Sequence, residues 1–240
     1  MSLQDQHIIK ELRQQILRWE GYKPPSSGRF EPLGIGNVEQ AFPNKVFPKS
    51  SVHEVVCAST EQAAASGGFL AGLISLLLKQ GGVCVWIYRA GRVFAPALAT
   101  FGVAPHQIVF IDLKKDADAL WVMEEALKCS GLTAVVCELK DMDFKQSQRL
   151  QRAVEHSRVT GFVLRNATGK LTATACAARW QIKPLPSLPI NGLPGVGHFC
   201  WQVDLLKVRN GQTGSWVMQW HEGMFEQVTE ILFDEERQVG

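Results

Sequence analysis

The sequence lacks any strong net charge: 25 Lys and Arg stand against 23 Asp and Glu, a formal balance of +2 over 240 residues. So small a surplus sets up no global field for polyanions, and any nucleic-acid contact has to come from a local patch. The six cysteines include no C-x-x-C pair, and most lie in apolar, strand-like runs, so they are expected as buried thiols of a reducing compartment. No His/Cys/acid cluster has metal-ligand spacing, and "WHEGMF" lacks the second histidine of a zinc-protease helix. The N-terminus has no basic segment followed by an apolar core, which excludes a secretory signal. The longest apolar run, "FLAGLISLLL", is short for a bilayer and fits a buried core helix. These absences predict a cytoplasmic protein without membrane contact. There are no internal repeats.

With 46% hydrophobic residues the chain can bury a large core without metal or disulfides. Ile8, Ile9, Leu12, Ile16 and Trp19 recur at helical spacing, and the Pro/Gly/Ser-rich "GYKPPSSGRFEPLGIG" follows. Residues 1–32 are therefore expected as an amphipathic arm and linker, docking on the core or on a neighbouring copy to give a homo-oligomer.

From Val52 onward short β-branched runs, "VHEVVC", "GVCVWIY", "QIVFID", "LTAVVCEL" and "TGFVLR", alternate with helix-length segments. That alternation predicts an α/β fold around a mostly parallel sheet. Beyond the proline-rich "PLPSLPINGLPGVG", two alternating segments joined around "RNGQTG" predict an antiparallel extension. The expected core spans residues 33–222. Residues 223–240 are expected as an amphipathic segment and charged tail, with Met224, Phe225, Val228, Ile231 and Leu232 on one helical face.

"CASTEQAAASGGF", Cys57 to Phe69, lies between a strand and a long apolar helix, where a phosphate loop belongs. Such a loop needs backbone N–H groups curled around phosphate, a lysine on the β/γ oxygens and a hydroxyl on Mg²⁺. No Lys or Arg occurs from Ser50 through Leu78. Ser59 and Gln62 have capping-box spacing, Glu61 falls in the first turn, and Ser66, Gly67 and Gly68 follow, the glycines suited to close packing on the sheet. Glu61 would repel a phosphate, so the stretch is expected as a capped helix start.

The run "LGIGNVEQAFPNKVFPKSSVHEVVCAS", with Glu54 on the strand, resembles the lead-in of the RecA-like recombinase fold, and the order of elements extends the resemblance over residues 33 to 182. In combination, "VHEV", "FAPALATFGVAPHQIVFI", "ADALWVMEEAL", "LTAVVCEL", "SQRLQRAVEHSRVTGFVLR" and "AARWQI" are similar to the ImuA family of bacteria. The resemblance implies a RecA-like three-layer fold and an accessory role in damage-induced translesion synthesis and mutagenesis, with an ImuB-type polymerase homologue as partner. It also implies kinship with SulA-type division inhibitors, which share the fold without a nucleotide. Carried onto this chain, the phosphate-loop lysine falls near Ser66, the water-activating carboxylate near Ala90 and the Mg²⁺-linked acid near Glu138. Only the last remains acidic, so no catalysis, cofactor or metal is expected.

Two alternatives to the accessory role stay open. The chain resembles a SulA-like division inhibitor, or a DNA-binding ATPase of the recombinase type. DNA would be met weakly through Lys140, Lys145, Arg149 and Arg152, with Arg158, Arg165, Lys170, Arg179 and Lys183 following in sequence. "QVDLL", Gln202 to Leu206, loosely resembles a sliding-clamp peptide but alternates as a strand does. Partner contacts are expected through Ile8, Leu12, Ile16 and Trp19 of the arm and Phe225, Val228, Ile231 and Leu232 of the C-terminal segment.

Overall fold

Where β-branched runs alternate with helix-length segments, the computed structural model forms strands and helices in the same order. It describes residues 31–89, 95–166, 171–188 and 197–228, together with Leu12 and Gln15, both helical. The chain divides into two compact units, Met1–Pro32 and Leu33–Gly240.

The second unit opens with a 3-10 helix, Gly36–Ala41, anchored by the buried Glu39. Its Oε1 accepts from the backbone N–H groups of Gly34 (2.7 Å) and Ile35 (3.1 Å). Gly34 has a φ of +97°, a left-handed turn that glycine alone enters freely.

Nine strands follow: β1 Val52–Cys57, β2 Cys84–Tyr88, β3 Ile108–Asp112, β4 Ala134–Leu139, β5 Thr160–Asn166, β6 Ala178–Leu188, β7 His198–Val208, β8 Gly214–His221 and β9 Met224–Gln227. They form a single sheet in the order β3-β2-β4-β5-β1-β6-β7-β8-β9. The pairs from β3 to β6 are parallel, and β6-β7, β7-β8 and β8-β9 are antiparallel, as the alternating C-terminal segments predicted. All six residues of β1 are buried, because helices or chain cover both of its faces.

The helices are α1 Thr60–Leu77, α2 Ala95–Ala99, α3 Asp116–Lys128 and α4 Phe144–Ser157. Helix α1 lies over β6, β1, β5 and β9, where Phe69, Leu73, Trp180, Trp201 and Trp220 share one apolar cluster. Helices α3 and α4 cover the opposite face, α3 on β2 and β4 and α4 on β1, with Met123, Leu127, Leu150 and Val154 in a second cluster. The apolar run of α1 continues to Gln80, long enough by composition to cross a membrane, and half of it is buried in this core.

Two elements differ from the sequence-based expectation. Met224–Gln227 is strand β9 rather than a helix: Glu222 and Gly223, at φ +47° and +75°, turn the chain back on β8, and Phe225 pairs opposite Trp220. Strand β6 runs into the proline-rich stretch, through Pro184 and Pro186. Beyond Gln181 it is flanked by β7 and no longer by β1, and an open edge tolerates residues without an N–H.

Candidate functional site

In open α/β sheets ligands gather outside the carboxyl ends of the parallel strands. Here that edge is built by the ends of β1, β2 and β4 and the starts of α1 and α3. Between β1 and α1 stand only Ala58 and Ser59, the latter the helix N-cap. Gln62 N–H donates to Ser59 Oγ (3.3 Å), and Gln62 Oε1 accepts from Ala58 N–H (3.0 Å) and Gln181 Nε2 (3.4 Å). The capping expected from Ser59 and Gln62 therefore forms, with the amide reaching one residue further back than the Ser59 N–H of a strict capping box. Two donors that a phosphate loop would turn on an anion, the Ala58 and Gln62 N–H groups, are here engaged by the chain's own side chains.

Glu61 adds negative charge at the same edge. The Ser59 hydroxyl, and after it the Glu61 backbone N–H, hold its carboxyl below the ordinary glutamate value. Ser66, Gly67 and Gly68 lie inside α1 and not in a loop. Ser66 is fully buried, its Oγ 3.3 Å from Cys57 Sγ, so a lysine at that position would enter the core instead of reaching a ligand. Gly67 has no heavy atom near its Cβ position and does not serve close packing. Gly68 does, since a Cβ there would stand 3.2 Å from Phe101 Cζ and 3.5 Å from Trp201 Cζ2, and the approach is tighter still at Gly72, 2.7 Å from Phe225 Cζ.

The remainder of the edge is tied together by Asp116. Its Oδ1 accepts from Arg89 Nη1 (2.5 Å) and its Oδ2 from Lys140 N–H (3.2 Å). Glu138, half-buried on β4, lies close enough to Cys57 to contribute, after burial, to pushing that thiol up. Ala90 lies outside the described residues.

Charge is concentrated beneath the sheet. Glu54 is completely buried on β1 and bridges two arginines from the neighbouring strands. Arg165 Nη1 on β5 donates to Glu54 Oε1 (2.8 Å) and to the Met142 carbonyl (3.2 Å), while Arg179 Nε on β6 donates to Glu54 Oε2 (2.7 Å). Arg179 Nη2 also donates to the Thr172 carbonyl (2.6 Å), fixing the irregular crossover between β5 and β6. Arg165 and Arg179 thus leave the set of DNA-facing residues. The uniform burial of β1 hid this cluster, since parallel strands buried on both faces give no period that marks a charged position.

The other basic positions scatter. Lys140, Lys145, Arg149, Arg152 and Arg158 are exposed. Arg149 is ion-paired with Glu124, and Lys183 Nζ donates to Asp204 Oδ2 (2.9 Å). Arg152 forms no ion pair with any described residue, and Lys170 lies outside the described residues.

Of the partner-facing residues, Leu12 is helical and 51% exposed, whereas Ile8, Ile16, Trp19, Ile231 and Leu232 lie outside the described residues. Phe225 is a correction. Only 5% exposed, its ring packs on Phe69 and Trp220, because β9 turns it under α1, so it belongs to the core and not to a partner surface. Val228 is half-buried and its N–H donates to the Val217 carbonyl (2.9 Å). Gln202 to Leu206 lies within β7, paired with both β6 and β8, so it is not a free peptide for a sliding clamp. Five cysteines are buried as expected, with Cys176 pushed up to about 12 by burial, and Cys129 is exposed.

No protein-family model matches the chain. Among curated proteins, it is similar to Protein ImuA from two strains of Caulobacter vibrioides, 32% identical over 199 residues, covering 78% of this chain and 82% of theirs. It is also similar to the cell division inhibitor SulA of Edwardsiella piscicida, 27% identical over 111 residues, 43% of this chain and 66% of that protein. Among solved structures, a KaiC-like protein from Pyrococcus horikoshii OT3 aligns with a TM-score of 0.56 at 13% identity, over 83% of this chain and 99% of the other. That likeness shows a shared fold.

Proposed function

The chain belongs to the ImuA family, and from that premise we propose that it is a non-catalytic RecA-like accessory protein of damage-induced translesion synthesis, working by binding an ImuB-type polymerase homologue. The observation that carries the non-catalytic reading is the two-residue joint between β1 and α1. Phosphoryl transfer depends on positioning and charge stabilisation, and a joint of Ala58 and Ser59 leaves no arc of backbone to surround a phosphate. Gln62 fills the space in front of the helix, and Glu61 opposes an anion there. The hydrogen bonds of Gln62 and Asp116 tie this edge together and suit it to holding partner-binding elements in place.

The test is co-elution of the full chain with an ImuB-type protein on size exclusion. The expected result is a shared peak that is lost when residues 1–32 are removed. Absence of a complex with the intact chain overturns the reading. The C-terminal deletion in the same series should start after Val228, because removing Phe225 would open the core. The SulA likeness supports a second reading, division inhibition, for which arrest of growing cells on overproduction, without effect on induced mutation, is the expected outcome.

A further inference from the structure

Helix α4 and the crossover that leads into β6 run side by side, and between them lies an open groove of about 350 Å³. Its lining includes Arg152 from α4 and Lys207 and Arg209 from the end of β7, and no carboxylate. Arg152 is more than fifty residues from Lys207 and Arg209 in sequence, and they meet because β7 returns antiparallel to β6, which sets Lys207 opposite Arg179. Arg152 has no ion-pair partner among the described residues. Lys207 Nζ donates to the Thr174 carbonyl, which orients it and leaves further ammonium donors for a ligand. Gln151 Oε1 accepts from Val52 N–H (3.1 Å), leaving its amide nitrogen as a donor at the groove wall. At the start of α4 Phe144, 45% exposed, also lines the groove.

We propose that this groove binds the sugar–phosphate backbone of a single-stranded polynucleotide, with Arg152, Lys207 and Arg209 on phosphates and Phe144 stacked on a base. Three basic side chains and no carboxylate in the lining give the groove a positive potential, and forked or rotatable N–H donors suit phosphate oxygens. A basic track with an aromatic platform is how sequence-tolerant single-strand sites are built. The groove has room for about one nucleotide unit, so a strand would pass along it with neighbouring phosphates on the exposed flank of α4. An acidic peptide would use the same cations but would leave the exposed ring of Phe144 without a role. The site shares only Arg152 with the residues that sequence alone suggests for DNA, and it does not depend on the polymerase-homologue contact.

The experiment is fluorescence anisotropy of the full chain with labelled oligothymidylate at low and at physiological salt. The double variant Arg152→Ala/Arg209→Ala should weaken binding by about tenfold at low salt and flatten the salt dependence by roughly 0.7 per cation removed. Arg149→Ala, whose arginine is engaged by Glu124, should bind as the wild type does. Phe144→Ala should lose about fivefold on oligothymidylate and nothing on an abasic oligonucleotide. All four positions are at the surface or the groove, and a thermal melt confirms that each variant is folded. No wild-type binding, or binding that the double variant leaves intact, overturns the proposal. So does competition by polyglutamate as strong as by unlabelled oligothymidylate, which would make the groove an acidic-peptide site.

Discussion

Glu54 has no exposed side-chain surface, and its two oxygens each take one arginine. An ion triad of this kind gains little over a well-packed apolar replacement, yet breaking it is costly, because the remaining charges stay buried without compensation. Glu54→Gln is therefore expected to destabilise the protein by about 3–5 kcal/mol, read from urea unfolding. Replacing all three members with apolar residues should recover most of that loss. His53, next to it on β1, carries the pH dependence. Its Nε2–H donates to the Pro48 carbonyl (2.9 Å) and its Nδ1 accepts from Trp180 Nε1 (3.4 Å), an arrangement that needs the neutral ring. Burial lowers its pKa from 6.5 to about 4, so between those values the unfolded chain holds the extra proton. Stability from this group is complete above pH 6.5 and declines as the pH falls towards 4, by about 3 kcal/mol in all. Urea midpoints across that window should drop steeply for the wild type and more gently for His53→Phe.

At the scale of elements, the tightest approach of α1 is one that its sequence does not advertise. Gly67 and Gly68 attract attention as a pair, and Gly68 does lie against Phe101 and Trp201, but the closest approach is that of Gly72 to the rings of Phe225 and Trp220. An alanine in a helix interior gains up to about 1 kcal/mol over glycine, while overpacking a filled core costs about 1–3 kcal/mol. Gly72→Ala is thus expected to lower the thermal midpoint, and Gly67→Ala, with open space around its Cβ position, to raise it. Strand β9 shows why periodicity fails on short segments. The spacing of Met224, Phe225 and Val228 suits a helix turn as well as a four-residue strand, and the tight turn at Glu222 and Gly223 decides between them. By contrast the parallel strands and α1, α3 and α4 were legible, because long segments repeat their pattern often enough to leave one assignment.

For the molecule as a whole, the RecA-like fold and the non-catalytic role proposed for it are tested apart. The sheet carries two helical layers and an antiparallel extension, and the joint between β1 and α1 is only Ala58 and Ser59. Calorimetry with ATP and Mg²⁺, with and without single-stranded DNA, is expected to give no saturable heat of nucleotide binding. A saturating isotherm that Gln62→Ala alters would contradict this account of the joint. The sequence by itself determined the order of elements, the cap at Ser59 and the missing cation, because each rests on neighbours within a few residues. Only the tertiary structure decided that Glu54 joins Arg165 and Arg179, that Phe225 is core, and that Arg152 meets Lys207 and Arg209. Those groupings depend on which strands and helices lie side by side, and one-dimensional periodicity carries no record of that.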